Sequence, residues 1–166
     1  MVRIIPIIFT IIRTDLLPLL VETIAVGLVT SLLFAEFFGL SAAGLLVPGY
    51  IAFHINNPLL IFIMALATLL TYTSERIVAA TTVLFGRRLL SLDVLFSFVW
   101  VFFIEQFLMR MGIPVPLLLD PLAYFMPALI VIFIGSSGFL NTMLSLVLNI
   151  IVVLIIINLL TISGWI

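Results

Sequence analysis

The chain has 166 residues, of which 66% are hydrophobic and 8% charged, with a formal net charge of −1 and no cysteine. A soluble domain of this size cannot bury so much apolar surface, and the near-neutral charge gives no indication of a nucleic-acid partner. The apolar composition therefore predicts an all-α integral membrane protein in a lipid bilayer. Separately, the absence of cysteine excludes disulfides and thiolate metal sites.

Residues 1–13 form the first segment, in which a short apolar run lies between Arg3 and Arg13. A secretory signal has a similar order of features, and removal of the segment is therefore the alternative interpretation. Because Pro6 interrupts the run and no small-residue cleavage site follows, we interpret residues 1–13 as an interfacial N-terminal extension.

The first half of the membrane domain is predicted to contain a helix, an interrupted segment and a second helix. Residues 16–38 are long enough to cross a bilayer, which takes roughly 20 residues of helix. Residues 41–50 are too short to cross, and Pro48 with Gly49 interrupts them, which is typical of a broken or re-entrant segment. A second spanning helix is predicted over residues 58–80.

The second half repeats this order. Spanning helices are predicted over residues 89–111 and 139–160, separated by prolines and an interrupted apolar stretch at residues 124–130. Residues 14–88 and 89–166 therefore indicate a weak internal duplication within one polytopic helical bundle. Two copies with the same orientation would open both interrupted segments to one face.

The arginines predict the orientation of the bundle. Arg3, Arg13, Arg87 and Arg88 fall on the side of the termini and the middle turn, whereas Arg110 falls on the opposite side. Cytoplasmic loops carry an excess of arginine and lysine, so we expect cytoplasmic termini in a multi-pass protein of the cell membrane.

Three acidic residues of the first span share one helical face, because Asp15, Glu22 and Glu36 are separated by multiples of seven. A carboxylate within a bilayer usually faces the bundle interior or a wet cavity. Glu22 is the deepest of the three. The alternative is that Asp15 and Glu36 mark the ends of the span while Glu22 packs in its neutral form against a neighbour.

Other polar residues indicate packing rather than chemistry. Asn141, Ser145 and Asn149 recur every four residues on the last helix and are expected to bond across helices. His54 has no second ligand at metal spacing, which leaves no metal site. The sequence has no phosphate-binding loop and no serine with a plausible base, so we expect neither an enzyme nor a bound cofactor.

Four short motifs occur in the first half, at Phe34–Glu36, Gly44–Tyr50, Leu69–Tyr72 and Phe85–Arg88. In this order and at these separations they resemble the PgsC/CapC family, the small membrane subunit of bacterial poly-gamma-glutamate synthesis. The likeness runs from about Gly27 to Arg88 and is weaker beyond.

The resemblance implies a non-catalytic subunit beside an ATP-dependent amide ligase, the B-type subunit, which activates a glutamate carboxylate and adds the next monomer. It also implies a membrane-anchored A-type subunit and a polyanionic polymer as cargo. A homo-oligomer is compatible with the same interpretation. The rival hypothesis is an independent small transporter or channel with paired broken helices.

Two groups of candidate site residues follow. Arg87 and Arg88 are candidates for docking the ligase or receiving the polymer, because guanidinium groups bind carboxylates bidentately; the alternative is a topology signal only. Candidates for the polymer path or a structural motif are Glu22, Glu36, Gly44, Pro48, Gly49 and Tyr50.

The orientation can be tested by introducing single cysteines and labelling intact cells with a membrane-impermeant thiol reagent. We expect a cysteine at position 56 or 112 to be labelled from outside and one at position 87 to be protected until the membrane is permeabilised. External labelling at position 87 would contradict the orientation, and the cysteine-free chain is the blank.

Overall fold

The computed structural model describes residues 20–36, 46–81, 86–113 and 121–162 of the chain. Every regular element within these ranges is a helix: α1 (20–36), α2 (Val47–Phe53), α3 (Pro58–Thr81), α4 (Arg87–Arg110), α5 (Leu122–Ser137) and α6 (Phe139–Ile162). Three of these, α3, α4 and α6, are long and apolar enough to cross a membrane. The predicted all-helical membrane bundle is confirmed. The N-terminal extension at 1–13 and the candidate Gly44 lie outside the described residues.

The two interrupted segments are helices shorter than a membrane span. The first is α2, a helix of 7 residues with Pro48 in its first turn, where a missing amide hydrogen removes no helical bond. The second, α5, has 16 residues and continues through Pro127. A proline inside a helix removes one backbone bond and favours a kink, and this second proline is itself buried.

Glycine ends helices α4 and α5. After α4, Gly112 adopts a φ of 75°, and its amide donates to the carbonyl of Met109 at 3.0 Å. The amide of Ile113 donates to the carbonyl of Leu108 at 3.2 Å, which completes a glycine-terminated helix end. Gly138, with a φ of 84°, is the single residue between α5 and α6. These turns supply hydrogen-bond donors to the last backbone carbonyls of the two helices, which lipid could not do.

The short helices occupy the interior of the bundle. Six of the seven residues of α2 are buried, and α2 packs against α6. Helix α5 packs against α3, α4 and α6. The long helices direct many large apolar side chains outward, including Phe62, Phe103 and Leu144, which hydrocarbon can solvate.

Contacts cross between the two predicted halves. Helix α2 of the first half packs against α6, and α5 of the second half packs against α3. Each short helix therefore lies against the last helix of the other half. These reciprocal contacts fit two copies of one helical unit, and we retain the duplication of residues 14–88 and 89–166 as a proposal.

Glycine lets the backbones of α1 and α2 touch. A Cβ atom built on Gly49 would lie 2.8 Å from the carbonyl oxygen of Thr23 and 2.9 Å from the Cα of Ile24. A Cβ on Gly27 would lie 2.5 Å from the Cα of Gly49. Small residues permit such close approach of membrane helices, so this glycine pair fixes how α2 sits on α1.

An amide on α6 contacts α1 one helical turn after Gly27. The Nδ2 of Asn149 donates to the Oγ of Ser31 at 2.7 Å, and both residues are buried. This confirms the predicted helix-packing role for Asn149. Asn141 instead donates to the carbonyl of Ser137 on its own chain segment at 3.1 Å and is exposed.

The α1–α2 contact can be tested with Gly49→Ala. The added methyl group must displace backbone atoms, and overpacking of this kind typically costs about 1–3 kcal/mol, so we expect a lower unfolding temperature in mild detergent. Gly135→Ala is the matched control, because Gly135 is helical and a Cβ there meets nothing within 4 Å. Equal unfolding temperatures for the two variants would contradict a close α1–α2 contact.

Candidate functional site

A polar stripe runs along the buried face of α4. Asp93, Ser97, Val101 and Glu105 follow one another at four-residue spacing and are the buried residues of this helix. Residues four apart lie on the same helical face. Asp93 and Glu105 are each only 1% exposed. Helix α4 therefore directs two carboxyls into the protein and its phenylalanines outward.

Helix α3 adds Thr71 and Glu75, one turn apart and both buried. Other hydroxyls of this helix bond back to a carbonyl one turn earlier, as Thr68 does to Met64 at 2.7 Å and Ser74 to Leu70 at 2.8 Å. The Oγ1 of Thr71 has no such bond and no other hydrogen-bond partner. Its hydroxyl remains available to another group in the interior.

Tyr124 of α5 contacts the α4 stripe at two levels. The hydroxyl of Ser97 donates to the backbone carbonyl of Tyr124 at 2.6 Å, and the hydroxyl of Tyr124 donates to the Oε2 of Glu105. The other carboxylate oxygen of Glu105 is buried without a hydrogen-bond partner. One residue of α5 thus contacts the middle of the stripe through its backbone and the far end through its side chain.

Helices α3 and α4 lie side by side at one end of this stripe, where one hydrogen bond joins them. The indole Nε1 of Trp100 donates to the Oγ of Ser74 at 2.9 Å. Glu75 lies close enough to Asp93 for its charge to act on the Asp93 carboxyl. Asp93, with Glu75 beside it, lies at one end of the polar stripe, and Glu105 lies at the other. The 12 residues from Asp93 to Glu105 measure about 18 Å along α4 at 1.5 Å per residue.

These buried acids have no buried base to balance them. Within the described ranges every arginine is exposed, and Arg76 lies over the ring of Tyr72 at 5.0 Å from its centroid. The Oε2 of Glu75 and the Oδ1 of Asp93 have no hydrogen-bond partner. A buried, unpaired carboxylate is costly, so this arrangement is a functional-site candidate.

A separate cavity of about 600 Å³ lies among α2, α3, α5 and α6. Its walls are almost entirely apolar, with Thr68 and Tyr72 as polar exceptions, and none of the buried carboxyls lines it. An apolar cavity suits a hydrocarbon chain, and this one offers a polyanion no cation and only two hydroxyl groups. The polar stripe and the cavity are therefore chemically distinct.

The residues predicted from sequence for a polymer path are not gathered into one site. Glu22 and Glu36 are exposed on α1, whereas Pro48, Gly49 and Tyr50 are buried in α2. Gly49 touches the backbone of α1, as described above. The geometry gives this glycine a packing contact, and a role in a polymer path stays a prediction.

Arg87 and Arg88 are exposed in the first turn of α4. The partial positive charge at a helix N-terminus disfavours cations there, so helix stability does not account for this pair. Ligase docking by these residues stays a prediction.

The sequence interpretation did not single out Glu75, Asp93 or Glu105. A signal was present, since Asp93, Ser97 and Glu105 lie on one face of an otherwise apolar span. The contribution of Tyr124 had no comparable signal, because its bond to Glu105 depends on how α5 packs.

The Tyr124 bond can be tested with Tyr124→Phe. Removing the hydroxyl leaves both oxygens of Glu105 unpartnered in the interior, which typically costs about 1–3 kcal/mol, so we expect a lower unfolding temperature. Tyr72→Phe is the matched control, because Tyr72 is only partly buried and its ring can still lie under Arg76. A Tyr124→Phe protein as stable as this control would contradict the bond.

Comparison with known proteins identifies the family. The profile of the family described as "Capsule biosynthesis CapC" matches residues 26–143. The chain is 41% identical over 63 residues to the "PGA biosynthesis protein CapC" of Bacillus subtilis (strain 168), covering 37% of this chain and 42% of that protein.

It is 36% identical over 66 residues to the "Capsule biosynthesis protein CapC" of Bacillus anthracis, covering 39% of this chain and 44% of that protein. The matched segments thus span less than half the length of these curated relatives. No solved structure matches the chain. Because the family profile covers most of the chain, this protein belongs to the capsule biosynthesis CapC family.

Proposed function

We propose that this chain is a non-catalytic transmembrane subunit of a complex that makes and exports poly-gamma-glutamate or a related capsule-type polyanion. The family match over residues 26–143 carries this proposal. The three helices of membrane-spanning length support it, because a polymer made from cytoplasmic precursors must cross a bilayer to form a capsule. In this division of labour the B-type ligase supplies the ATP-dependent chemistry, and the A-type subunit assists export.

The exposed pair Arg87 and Arg88 is the proposed docking or polymer-receiving surface. Guanidinium groups bind carboxylates bidentately, and both the glutamate polymer and acidic patches of a ligase offer carboxylates. The pair stands where the helix dipole disfavours it, so an interaction with an external anion would compensate for that position.

The polymer path is proposed to form together with other subunits or further copies of this chain. The large cavity of the described bundle is apolar, which does not suit a polyanion. Pro48 and Gly49, proposed to border the path, lie in α2 against α1. A path beside them would therefore require the α1 side of the bundle to meet a partner.

An independent transporter is the second candidate. The buried carboxyls of α3 and α4 favour it, because ionisable groups within membrane helices commonly mark ion or substrate pathways. A transporter would act alone, whereas a synthase subunit would carry a ligase with it. Co-purification therefore separates the two functions.

The test is affinity purification of the tagged chain in mild detergent from cells that also produce the ligase. We expect the unaltered chain to retain the ligase, and Arg87→Glu with Arg88→Glu to retain about tenfold less, equivalent to about 1.4 kcal/mol. Arg110→Glu is the matched control, because this exposed arginine lies at the opposite end of α4.

Membrane level and cysteine labelling must show that each variant is inserted correctly. Normal ligase recovery with the double variant would leave Arg87 and Arg88 as topology signals. Failure of the unaltered chain to retain any ligase, with normal polymer output in its absence, would refute the proposed function itself.

A further inference from the structure

The interior of α3, α4 and α5 holds acids without bases, and a membrane protein must neutralise such acids in some way. We propose that Glu75, Asp93 and Glu105 bind protons and pass them along this interior by way of Tyr124. The chain would then carry a proton relay across its membrane domain. This inference concerns the chain alone and does not rest on the polymer or the ligase.

The charge balance is the first step of the argument. Desolvation makes an ionised carboxyl costly in the interior, and neutralisation requires a cation or a proton. The described arginines of the packed helices, Arg76, Arg87, Arg88 and Arg110, are all exposed. Arg76 follows Glu75 in the chain and its charge acts on that carboxyl, which leaves Asp93 and Glu105 as the deeper acids. The other titratable groups on these helices are Tyr72, which lies under Arg76, and Tyr124, which donates to Glu105.

A proton fits the site better than a metal ion. A metal bound by protein oxygens needs several ligands arranged around it. The part of the chain that the structure describes contains no group of three His, Cys, Asp or Glu residues that could hold a metal ion. Protonation needs one oxygen at a time, and each buried carboxyl has one without a hydrogen-bond partner.

A buried hydroxyl lies one helical turn from each of the two carboxyls at the Asp93 end. Thr71 lies one turn from Glu75 on α3, and Ser97 lies one turn from Asp93 on α4. The unpartnered hydroxyl of Thr71 does not belong to the acidic cluster and points independently to a missing hydrogen-bond partner. Buried water occupies such positions when several polar groups surround it, and water transfers protons between them.

Tyr124 carries the relay past Val101. Its backbone carbonyl accepts from Ser97, and its hydroxyl donates to Glu105. When Glu105 takes the hydroxyl proton, the phenolic oxygen of Tyr124 receives the next proton from a water molecule, because the Ser97 hydroxyl already donates to the backbone carbonyl. Each transfer breaks one O–H bond and forms another, so the number of bound protons is conserved.

The relay extends close to both ends of α4. Asp93 lies five residues after Arg88, and Glu105 lies five residues before Arg110. Five residues of helix measure about 7–8 Å. Each terminal carboxyl therefore lies between one and two helical turns inside its end of the span.

The test uses the purified full-length chain in liposomes that contain a pH-sensitive dye. A potassium gradient with valinomycin imposes a membrane potential, and internal pH reports proton entry. We expect proton flux above that of empty liposomes, with a loss of at least tenfold in Asp93→Asn and in Glu105→Gln. The glutamine can still accept the Tyr124 hydrogen bond, which separates proton exchange from folding.

Tyr124→Phe should lower the flux to the same extent, whereas Tyr72→Phe should leave it unchanged. Infrared spectra at neutral pH should show a protonated-carboxyl band that is weaker in Asp93→Asn and in Glu105→Gln. Flux equal to that of empty liposomes, unchanged flux in the folded carboxyl variants, or dependence on sodium instead of pH would each overturn the relay.

Discussion

Hydrocarbon neither donates nor accepts a hydrogen bond, so every backbone amide and carbonyl of a membrane segment must find a partner within the protein. The two short helices of this bundle make that requirement acute, because each ends before it could cross a bilayer. The amides of His54 and Gly138, just past the ends of α2 and α5, donate to carbonyls of the last turn of each helix. The glycine turn after α4 does the same for its last carbonyls.

The same requirement applies to the polar side chains, which must also find hydrogen-bond partners within the protein. Hydroxyls near lipid, such as that of Thr161, bond to a carbonyl of their own helix, whereas Asn149 bonds across to α1. The carboxyls of α3 and α4 are the exception, because they are buried without full partners. The proposed polyanionic cargo would share their sign whenever these carboxyls are ionised, and like charges repel strongly at low dielectric constant. We therefore expect polymer and protons to follow separate routes.

Much of the fold could be predicted from sequence because apolar runs and prolines act locally. The span predicted over residues 58–80 corresponds to α3, and the interruption at Pro48 corresponds to a helix too short to cross. The packing role of Asn149 also followed from four-residue spacing. These features depend on residues close together in the chain.

The candidate site was harder to predict because helical spacing shows which residues share a face but not where that face points. Glu22 and Glu36 share a face that turns out to be exposed, whereas Asp93 and Glu105 share one that is buried. Whether a helical face is buried depends on packing against helices that are distant in sequence. The contact of Gly27 with Gly49 and the bond of Tyr124 to Glu105 likewise become visible only after the helices are assembled.

The packing of α2 against α6 also bears on how the chain is made. The ribosome delivers α2 long before α6, the last described helix, so the apolar face of α2 lacks its final neighbour during most of synthesis. Until then α1, through its glycine contact, and later α5 are the described helices that contact α2. After insertion of the first half, chaperones or the insertion machinery must therefore shield the apolar face of α2 until α6 is synthesised.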